Sequence, residues 1–377
     1  MFIIICFILL GLYGILIACY HYWFASIPIF KISENQNAAL FFSIIIPARN
    51  EEKNIQKCID SILQQAYPPN LYEIIVVDDY STDRTADIVQ GFSVKSVRLL
   101  QLKDVLLNAS THSYKKKAIE LAIEHAKGNW IVTTDADCVV LPTWLKTINA
   151  YQQATNARFI AAPVMYKTKQ SFLSIFQTLD FLSLQGITAA SAHKSFHTMC
   201  NGANIAYEKH TFFEVGGFKN IDHIASGDDM LLMHKIYTHY PKQVKFLLSP
   251  EAIVTTDPMP TWKMFFNQRI RWASKADKYD DKRIMIVLVF LYILNLLFPI
   301  LLIASIWNYT YLISALIFLS AKTIVEIPFV WQVARFFKQS SLMLYFPIAQ
   351  PAHILYTLIA GWLGKFGKYN WKGRWVK

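Results

Sequence analysis

The sequence contains little charge and few cysteines. Charged residues make up 17% of the 377 residues, whereas hydrophobic residues make up 54%. The five cysteines show neither CxxC nor metal-ligand spacing, which argues against a disulfide framework and favours a reducing compartment. Internal repeats and low-complexity segments are also lacking. Although the net charge is +11, the basic residues are scattered and no recognition motif accompanies them, so nucleic acid is not an expected partner.

Charge is missing altogether from the N-terminal stretch. Residues 1–24 contain no charged side chain, and a run of this length can cross a hydrocarbon core as a helix. A signal peptide would have a basic n-region and a clear cleavage site, which this stretch does not show. We therefore predict an uncleaved transmembrane anchor at residues 1–25.

The C-terminal third contains more apolar stretches, and residues 284–364 are expected to form a membrane region. Residues 284–307 and 309–331 each predict a transmembrane helix. In the second of these, Lys322 and Glu326 lie four residues apart and so share one helical face. A structural ion pair between them is favoured over a place on a substrate path.

The orientation of the chain follows from its basic residues. None precedes the first span, whereas Lys31 and a basic middle follow it, so the middle is expected to be cytoplasmic, against an anionic lipid surface. Residues 341–364 contain two prolines and could form a kinked span, a re-entrant segment or an interfacial helix. Full crossing would place the basic tail, residues 365–377, outside, so we expect a segment that does not fully cross.

The middle of the chain, residues 32–281, alternates between strand and helix patterns. "FFSIIIPARN", "YEIIVVDDYSTD" and "GNWIVTTDADC" predict strands, and an amphipathic helix closed by Gly128 precedes the third. This alternation predicts an α/β domain with a mostly parallel sheet, in which ligands bind at the carboxyl ends of the strands. Polar or charged groups follow these strands at Pro47, Ala48 and Arg49, at Asp78 and Asp79, and at Asp135 and Asp137.

Asp135 and Asp137 are separated by a single residue at the end of a strand. Two carboxylates that face one crevice repel each other unless a cation joins them, so this pair predicts a divalent metal or ligand site. The other acidic pair, Asp78 and Asp79, fits an Asx-type turn as well as it fits ligand binding. Lys115, the first of three lysines at a helix start, fits a solvated helix end better than a phosphate site on residue type alone.

Two later motifs add candidates. Asp228 and Asp229 stand at the start of an apolar helical run, where one can cap the helix while the other acts as an acid or base. In "QRIRW", the residues Gln268, Arg271 and Trp272 share one helical face that suits a diphosphate and a sugar ring. The intervening Arg269 is expected to point elsewhere. A juxtamembrane helix that anchors its Arg and Trp at the lipid interface is the alternative.

Taken in order, these motifs resemble a known family. "SIIIPARNEE", "VVDDYSTD", "KKKAIELA", "TTDADC", "NGANIAYEKHTFFEVGGF", "GDD" and "QRIRW" are similar to those of membrane-integral family-2 glycosyltransferases. The resemblance covers roughly residues 41–275 and implies a GT-A fold, which is Rossmann-like, in a cytoplasmic domain flanked by transmembrane helices. It also implies a nucleotide-diphosphate sugar donor, with a UDP-sugar favoured, and a lipid, glycolipid or glycan acceptor.

The resemblance further implies roles for single residues. Asp137 would ligate Mg²⁺ or Mn²⁺, and Asp229 would be the general base. Asp228 fills a position at which the family has Glu, which leaves its catalytic role open. The residues implied in binding the nucleotide sugar are Pro47, Ala48, Arg49, Glu51, Asp78, Asp79, Lys115 and Asp135. Those implied at the diphosphate and the acceptor are Gln268, Arg271 and Trp272.

These roles describe an inverting sugar transfer, but they leave alternatives open. A single transfer to a lipid or glycolipid is favoured, because a processive polysaccharide synthase generally needs a larger membrane bundle. A non-catalytic nucleotide-sugar-binding subunit of an envelope assembly is another candidate, although retention of the acidic and QxxRW motifs argues against it. A transporter does not suit the large α/β middle and the few spans.

Overall fold

The computed structural model describes residues 1–33, 37–105, 113–224, 227–275, 280–367, 369–371 and 374–376. The strands are β1 (Phe42–Ala48), β2 (Tyr72–Asp78), β3 (Val97–Gln101), β4 (Trp130–Thr133), β5 (Phe159–Ala161), β6 (Val164–Tyr166), β7 (Ile205–Glu208), β8 (Val244–Phe246), β9 (Val254–Thr256), β10 (Tyr369–Trp371) and β11 (Arg374–Val376). The helices are α1 (Phe2–Ala25), α2 (Ile55–Leu63), α3 (Thr85–Gln90), α4 (Leu102–Val105), α5 (Tyr114–His125), α6 (Trp144–Thr155), α7 (Phe172–Lys194), α8 (Lys209–Glu214), α9 (Asp228–His239), α10 (Trp262–Ala273), α11 (Lys282–Ala304), α12 (Thr310–Phe336) and α13 (Phe346–Phe366).

These elements form two compact units. The sheet unit consists of Pro28–Met165 and Thr198–Asp257, and the helical unit consists of Met1–Ile27, Tyr166–His197 and Pro258–Lys377. The helical unit thus gathers segments that are far apart in the sequence, including α7 from the middle of the chain.

The division of the chain into four domains stays a prediction. The predicted ranges are residues 1–25, 32–281, 284–364 and 365–377. By packing, α7 and residues 258–275 belong with the apolar helices, although the sequence pattern placed both in the transferase range. Side-chain packing between helices decides this grouping, and the order of strands and helices does not reveal it.

The sheet unit is built on a seven-stranded sheet with the order β3-β2-β1-β4-β7-β5-β8. β1 is parallel to β2 and to β4, β2 is parallel to β3, and β7 is antiparallel to its neighbours β4 and β5. The central strands are apolar on both faces, as buried parallel strands must be; Ile44, Ile45 and Ile46 are 0% exposed. The predicted α/β fold with a mostly parallel sheet is confirmed.

Gly128 has a different role from the predicted one. The helix before it ends at His125, so the prediction that Gly128 closes this helix is wrong. A Cβ atom at this position would lie 2.6 Å from the carbonyl oxygen of Phe41 and 2.7 Å from the amide nitrogen of Ser43. Glycine is needed here because the backbones approach closely where β4 joins β1.

Among the described residues, the helical unit contains four helices that are long and apolar enough to cross a membrane: Phe2–Ala25, Lys282–Ala304, Thr310–Phe336 and Ser340–Phe366. The predicted ion pair is present, since the Lys322 ammonium lies 2.5 Å from a carboxylate oxygen of Glu326. The hydroxyl of Tyr13 and the amide of Gln350 donate to the same carboxylate, and both ions are buried. These contacts agree with the structural interpretation of the pair.

The two ends of α13 adjoin other helices of this unit. A 3₁₀ helix, Ser340–Tyr345, connects its first residue to the end of α12. Near its last turn, Gly364 packs against the end of α10, where an added Cβ would lie 2.7 Å from the Cβ atom of Ala273. The neighbouring Gly361 packs against the ring of Tyr292 in α11. Glycine at both positions therefore lets α13 lie close to α10 and α11.

Candidate functional site

The ends of β1 and β2 are tied together at the carboxyl edge of the sheet. In the parallel register, Pro47 pairs with Val77 and Ala48 pairs with Asp78. The guanidinium of Arg49 donates to the carbonyl oxygens of Asp79 at 2.7 Å and of the residue after it at 3.0 Å. Arg49 therefore holds the loop after β2 in place, which matches the expectation that these strand ends share one edge.

Asp78 and Asp79 are both buried, with exposures of 4% and 2%. Asp78 makes a local bond that stabilises the loop after β2, because its Oδ2 accepts the amide of Ser81, three residues on, at 3.2 Å. Its Oδ1 is buried and lacks a hydrogen-bond partner within the part of the chain that the structure describes. A buried acceptor of this kind suits an N–H donor from a ligand.

Asp135 and Asp137 lie just beyond β4 in a tight turn. The amide of Cys138 donates to the carbonyl oxygen of Asp135 at 3.0 Å, which closes this turn. Ala136 and Cys138 are buried, whereas both aspartates are partly exposed. Both carboxylates therefore belong to the more exposed residues of this turn, and the metal or ligand site predicted from their spacing stays a prediction.

The thiols of Cys58 and Cys138 lie beneath this turn. Burial raises the pKa of the Cys58 thiol, and Asp137, Asp135 and Glu51 raise it further. Burial and the same two aspartates raise the pKa of Cys138 as well. The Cys58 thiol lies 3.6 Å from the carbonyl oxygen of Asp135 and the Cys138 thiol lies 3.7 Å from Asp137 Oδ1, so both thiols pack against the turn.

Lys115 connects two parts of the site that are distant in sequence. Its ammonium lies 2.9 Å from Asp135 and 3.3 Å from Asp228. Burial alone would lower the pKa of Lys115, but the carboxylates of Asp135, Asp228 and Asp229 outweigh it and raise the pKa. Lys115 therefore carries its charge at neutral pH.

The solvated helix start expected from the lysine run does not describe this end of α5. The side chain of Lys115 is only 24% exposed, and Lys116 is buried, donating to two backbone carbonyl oxygens at 2.7 Å. These contacts place Lys115 among carboxylates, and the alternative of a phosphate site stays a prediction.

The two aspartates at the start of α9 differ in their surroundings. Asp228 is buried and pairs with Lys115, whereas Asp229 is partly exposed. The amide of Gly202 donates to Asp229 Oδ2 at 2.8 Å, and the amide of Met230 donates to its Oδ1 at the same distance. These bonds orient the carboxylate and leave its remaining lone pairs available, as a general base requires.

Gly202 is a residue of this site that was not predicted from the sequence. An added Cβ would lie 3.3 Å from the Cβ of Asp229 and 3.4 Å from Asp228 Oδ2. Its carbonyl oxygen accepts the hydroxyl of Thr133 at 2.8 Å, which ties it to the end of β4. The glycine in "NGAN" could have indicated this close approach, but the sequence does not show what it approaches.

The chemistry of the acidic residues fits a divalent cation that shares its ligands with a phosphate. Among the described residues, no group of three or more His, Cys, Asp or Glu side chains forms a complete metal cage. Mg²⁺ is commonly held by one or two carboxylates together with substrate phosphates. Asp137, with Asp135 beside it in the turn, provides such a partial set.

The QxxRW residues lie on α10 of the helical unit. Gln268, Arg271 and Trp272 are each partly exposed. The expectation that Arg269 points elsewhere is wrong, because its guanidinium lies over the Trp272 ring, 4.2 Å from the ring centroid, and also donates to Gln268 Oε1 at 2.6 Å. Arg269 forms a buried ion pair with Asp180 of α7, at 2.7 Å. Asp180 is the single acid in α7, and this buried acid was a signal that a cationic partner was needed.

Comparison with known proteins identifies the family. The chain matches the family model "Glycosyl transferase family 2" over residues 43–210 and the model "Glycosyl transferase family group 2" over residues 130–362. The second match covers more than half of the chain. The chain belongs to glycosyltransferase family 2. The motifs that suggested the resemblance are therefore those of a family-2 glycosyltransferase.

Curated relatives of this family-2 glycosyltransferase include two longer proteins. It is 27% identical over 256 residues to Probable glycosyltransferase YdaM of Bacillus subtilis (strain 168), which aligns 67% of this chain with 59% of that protein. It is 23% identical over 283 residues to Poly-beta-1,6-N-acetyl-D-glucosamine synthase of Staphylococcus epidermidis, which aligns 71% of this chain with 63% of that protein. The chain thus spans less than two thirds of the length of these relatives.

A solved structure supports the fold. The family-2 glycosyltransferase is similar to the mannosyltransferase PcManGT from Pyrobaculum calidifontis, solved in complex with GDP-Man and Mn²⁺. The TM-score is 0.56 at 18% identity, and the match covers 94% of this chain and 99% of the other. The GT-A fold expected from the motifs is confirmed by this likeness and by the sheet.

Proposed function

We propose that this family-2 glycosyltransferase transfers a sugar, with inversion, from a nucleotide-diphosphate sugar to a lipid or glycolipid acceptor. The observation that carries the proposal is the bridge formed by Lys115, 2.9 Å from Asp135 and 3.3 Å from Asp228. This bridge joins the turn after β4 to the start of α9, where Asp229 provides an oriented and partly exposed carboxylate. One cluster of side chains could thereby bind the charged nucleotide sugar and also take the proton of the acceptor hydroxyl.

The donor would bind along the carboxyl edge of the sheet. Pro47, Ala48 and Arg49 would line the nucleoside, with Asp79 near the base. Asp78 Oδ1, which is buried and has no partner among the described residues, suits an N–H group of the base. The partly exposed Glu51 lies in the loop that follows β1. Lys115 and Asp135 would contact the nucleotide sugar at the opposite end of the edge.

In the proposed reaction, an acceptor hydroxyl oxygen forms a bond to the anomeric carbon as the bond from that carbon to the diphosphate oxygen breaks. Asp229 takes the hydroxyl proton, and the nucleoside diphosphate leaves with the bonding electron pair. Attack from the opposite face inverts the anomeric centre. Gln268, Arg271 and Trp272 are assigned to the diphosphate and the acceptor by their motif. A divalent cation held by Asp137 would supply charge neutralisation at the leaving group.

The proposal is tested by nucleotide release from the purified full chain in detergent with added membrane lipid extract. The panel contains UDP-, GDP- and dTDP-sugars, each with Mn²⁺ or Mg²⁺ and with chelator. We expect metal-dependent release from one donor, with a UDP-sugar tested first. Nucleotide binding without turnover on every donor would support the non-catalytic subunit and contradict the transferase.

A processive synthase is the second candidate, because the chain is similar to a protein named Poly-beta-1,6-N-acetyl-D-glucosamine synthase. The two candidates differ in product length, which is measured on the reaction mixture by mass spectrometry. Addition of a single sugar to a lipid supports the first proposal. A ladder of many units from one purified protein would replace it with the second.

We also propose that the protein is an integral protein of a cell inner or plasma membrane, with the transferase segments in the cytoplasm. α11 begins with Lys282 and Arg283, and α12 ends near Arg335 and Lys338, so the positive-inside rule places these ends in the cytoplasm. α13 starts close to the end of α12, and its last turn packs against α10, which precedes α11. Both ends of α13 would then be cytoplasmic, as expected for a segment that does not fully cross.

This topology predicts the labelling pattern of two introduced cysteines. With Cys19 and Cys200 replaced by Ser, Lys365→Cys should react with an impermeant maleimide only after the membrane is opened. Asn308→Cys, in the exposed connection between α11 and α12, should react in intact cells and is the matched control. Reaction of Lys365→Cys in intact cells would show that α13 crosses the membrane completely.

A further inference from the structure

A buried ion pair connects α10, the helix that carries the QxxRW motif, to α7. Arg269 Nε and Nη2 lie 3.1 Å and 2.7 Å from Asp180 Oδ2, and the side chains are 3% and 2% exposed. Removing two charges from water costs much of what their attraction returns, so a buried pair contributes little net stability. The contacts of the pair instead fix the positions of its neighbours.

The first of these neighbours is Gln268. Its Oε1 accepts Arg269 Nη1 at 2.6 Å and the hydroxyl of Tyr166 at 3.3 Å. With both bonds on the oxygen, the orientation of the amide is set, and the Nε2 group becomes the end that can donate to a ligand. Gln268 is partly exposed, so this donor is accessible.

The second neighbour is Trp272. The guanidinium of Arg269 lies 4.2 Å from the centroid of the Trp272 ring and 4.7 Å from that of Phe265. The ring of Phe181 packs at 6.1 Å from the Trp272 ring, at an interplanar angle of 36°. A cation over one ring face and an aromatic ring beside it restrict the indole to one orientation.

Asp180, the acidic partner of Arg269, also contacts residues of α13. Asp180 Oδ1 accepts the hydroxyl of Tyr356, and the imidazole of His353 lies 3.6 Å from the same oxygen. The Tyr356 ring packs edge-on against Phe265, with centroids 5.2 Å apart. Asp180 is thus fixed from α13 while it fixes Arg269 on α10.

We propose that Asp180 and Arg269 are positioning residues for sugar transfer. They hold the Gln268 amide with its N–H groups outward and hold the Trp272 ring in one orientation, so both side chains meet their ligand without reorganisation. This inference rests on the proposed function, because it assigns the ion pair a role in that reaction. Neither residue of the pair is accessible enough to touch a substrate itself.

The test is a double-mutant cycle on transfer kinetics. Arg269→Gln should lower kcat by about 10- to 100-fold, because small misplacements of binding groups have effects of this size. In a background that carries Gln268→Ala and Trp272→Ala, the same substitution should change kcat by less than about twofold, because the two side chains that Arg269 positions are absent there. Tyr166→Phe, which spares the ion pair, should lower kcat by about 2- to 10-fold. Arg283→Gln, which removes a guanidinium paired with another aspartate, is the matched control.

The outcomes separate this inference from the proposed function. Equal losses in both backgrounds would make the ion pair merely structural and overturn the inference, while the transferase stands. If Arg269→Gln does not fold, Asp180→Asn is compared in the same two backgrounds, and equal losses there overturn the inference in the same way. If the wild-type chain turns over no donor, the proposed function fails and the inference fails with it.

Discussion

Asp229→Asn is expected to lower the rate of sugar transfer by about 10²- to 10⁴-fold, which is the usual contribution of a general base. The amide cannot take the acceptor proton. Its single oxygen can still accept the amide of Gly202, which lies 2.8 Å from Asp229 Oδ2 in the wild type, so only the bond from the Met230 amide to Oδ1 is lost. The fold and the affinity for the nucleoside diphosphate should therefore be retained. Single-turnover transfer measures the first effect, and calorimetric titration of the nucleotide measures the second.

Two further variants control this experiment. Asp222→Asn removes the same charge from an exposed position and should leave transfer unchanged. Asp228→Asn removes a partner of Lys115 and should reduce transfer less than Asp229→Asn does, because Asp228 is buried in an ion pair. A larger loss in Asp228→Asn than in Asp229→Asn would transfer the role of base to Asp228.

Asp137→Ala is expected to remove the metal dependence of the reaction together with most of its rate. Charge neutralisation by a bound cation is worth several kcal/mol, so the rate should fall by about 10²-fold or more. Nucleotide release is measured with Mn²⁺ and with chelator. Chelation should slow the wild-type chain strongly and slow Asp137→Ala hardly at all.

The matched control for this variant is Asp87→Ala, which removes an exposed carboxylate from α3. It should keep both the rate and the response to chelator. A variant Asp137→Ala that retains the wild-type response to chelator would show that the cation is held elsewhere. Titration of Mn²⁺ in the presence of nucleoside diphosphate gives the same comparison without turnover.

The strands of the sheet could be predicted from the sequence because a strand buried on both faces consists almost entirely of apolar residues. β1 and β2 are bounded by polar groups, and their apolar runs are buried on both faces. The order of the motifs then placed Asp135 and Asp137 at the carboxyl edge. The pattern also showed where the long apolar helices lie, since length and hydropathy alone define a possible span.

The contacts of the site could not be predicted in the same way. Lys115 and Asp228 are 113 positions apart, and no local pattern reveals a 3.3 Å ion pair between them. The helical face of the QxxRW motif was read from its spacing, but a long and flexible Arg269 side chain can turn towards a buried partner on another helix. Gly128 was assigned to helix capping because it follows a helix in the sequence. Its close backbone neighbours, Phe41 and Ser43, are remote in sequence, so the local pattern did not reveal them.

The sequence by itself determined the class of this protein: an α/β transferase chain with apolar helices, whose acidic and QxxRW motifs lie in the order of family 2. Residue type and spacing suffice for that, because each strand or helix records its own burial. Only the tertiary structure decided that Lys115 bridges two acidic motifs, and that Arg269 supports Gln268 and Trp272. Such contacts join residues that are remote in sequence, and their energies depend on distance and desolvation in three dimensions.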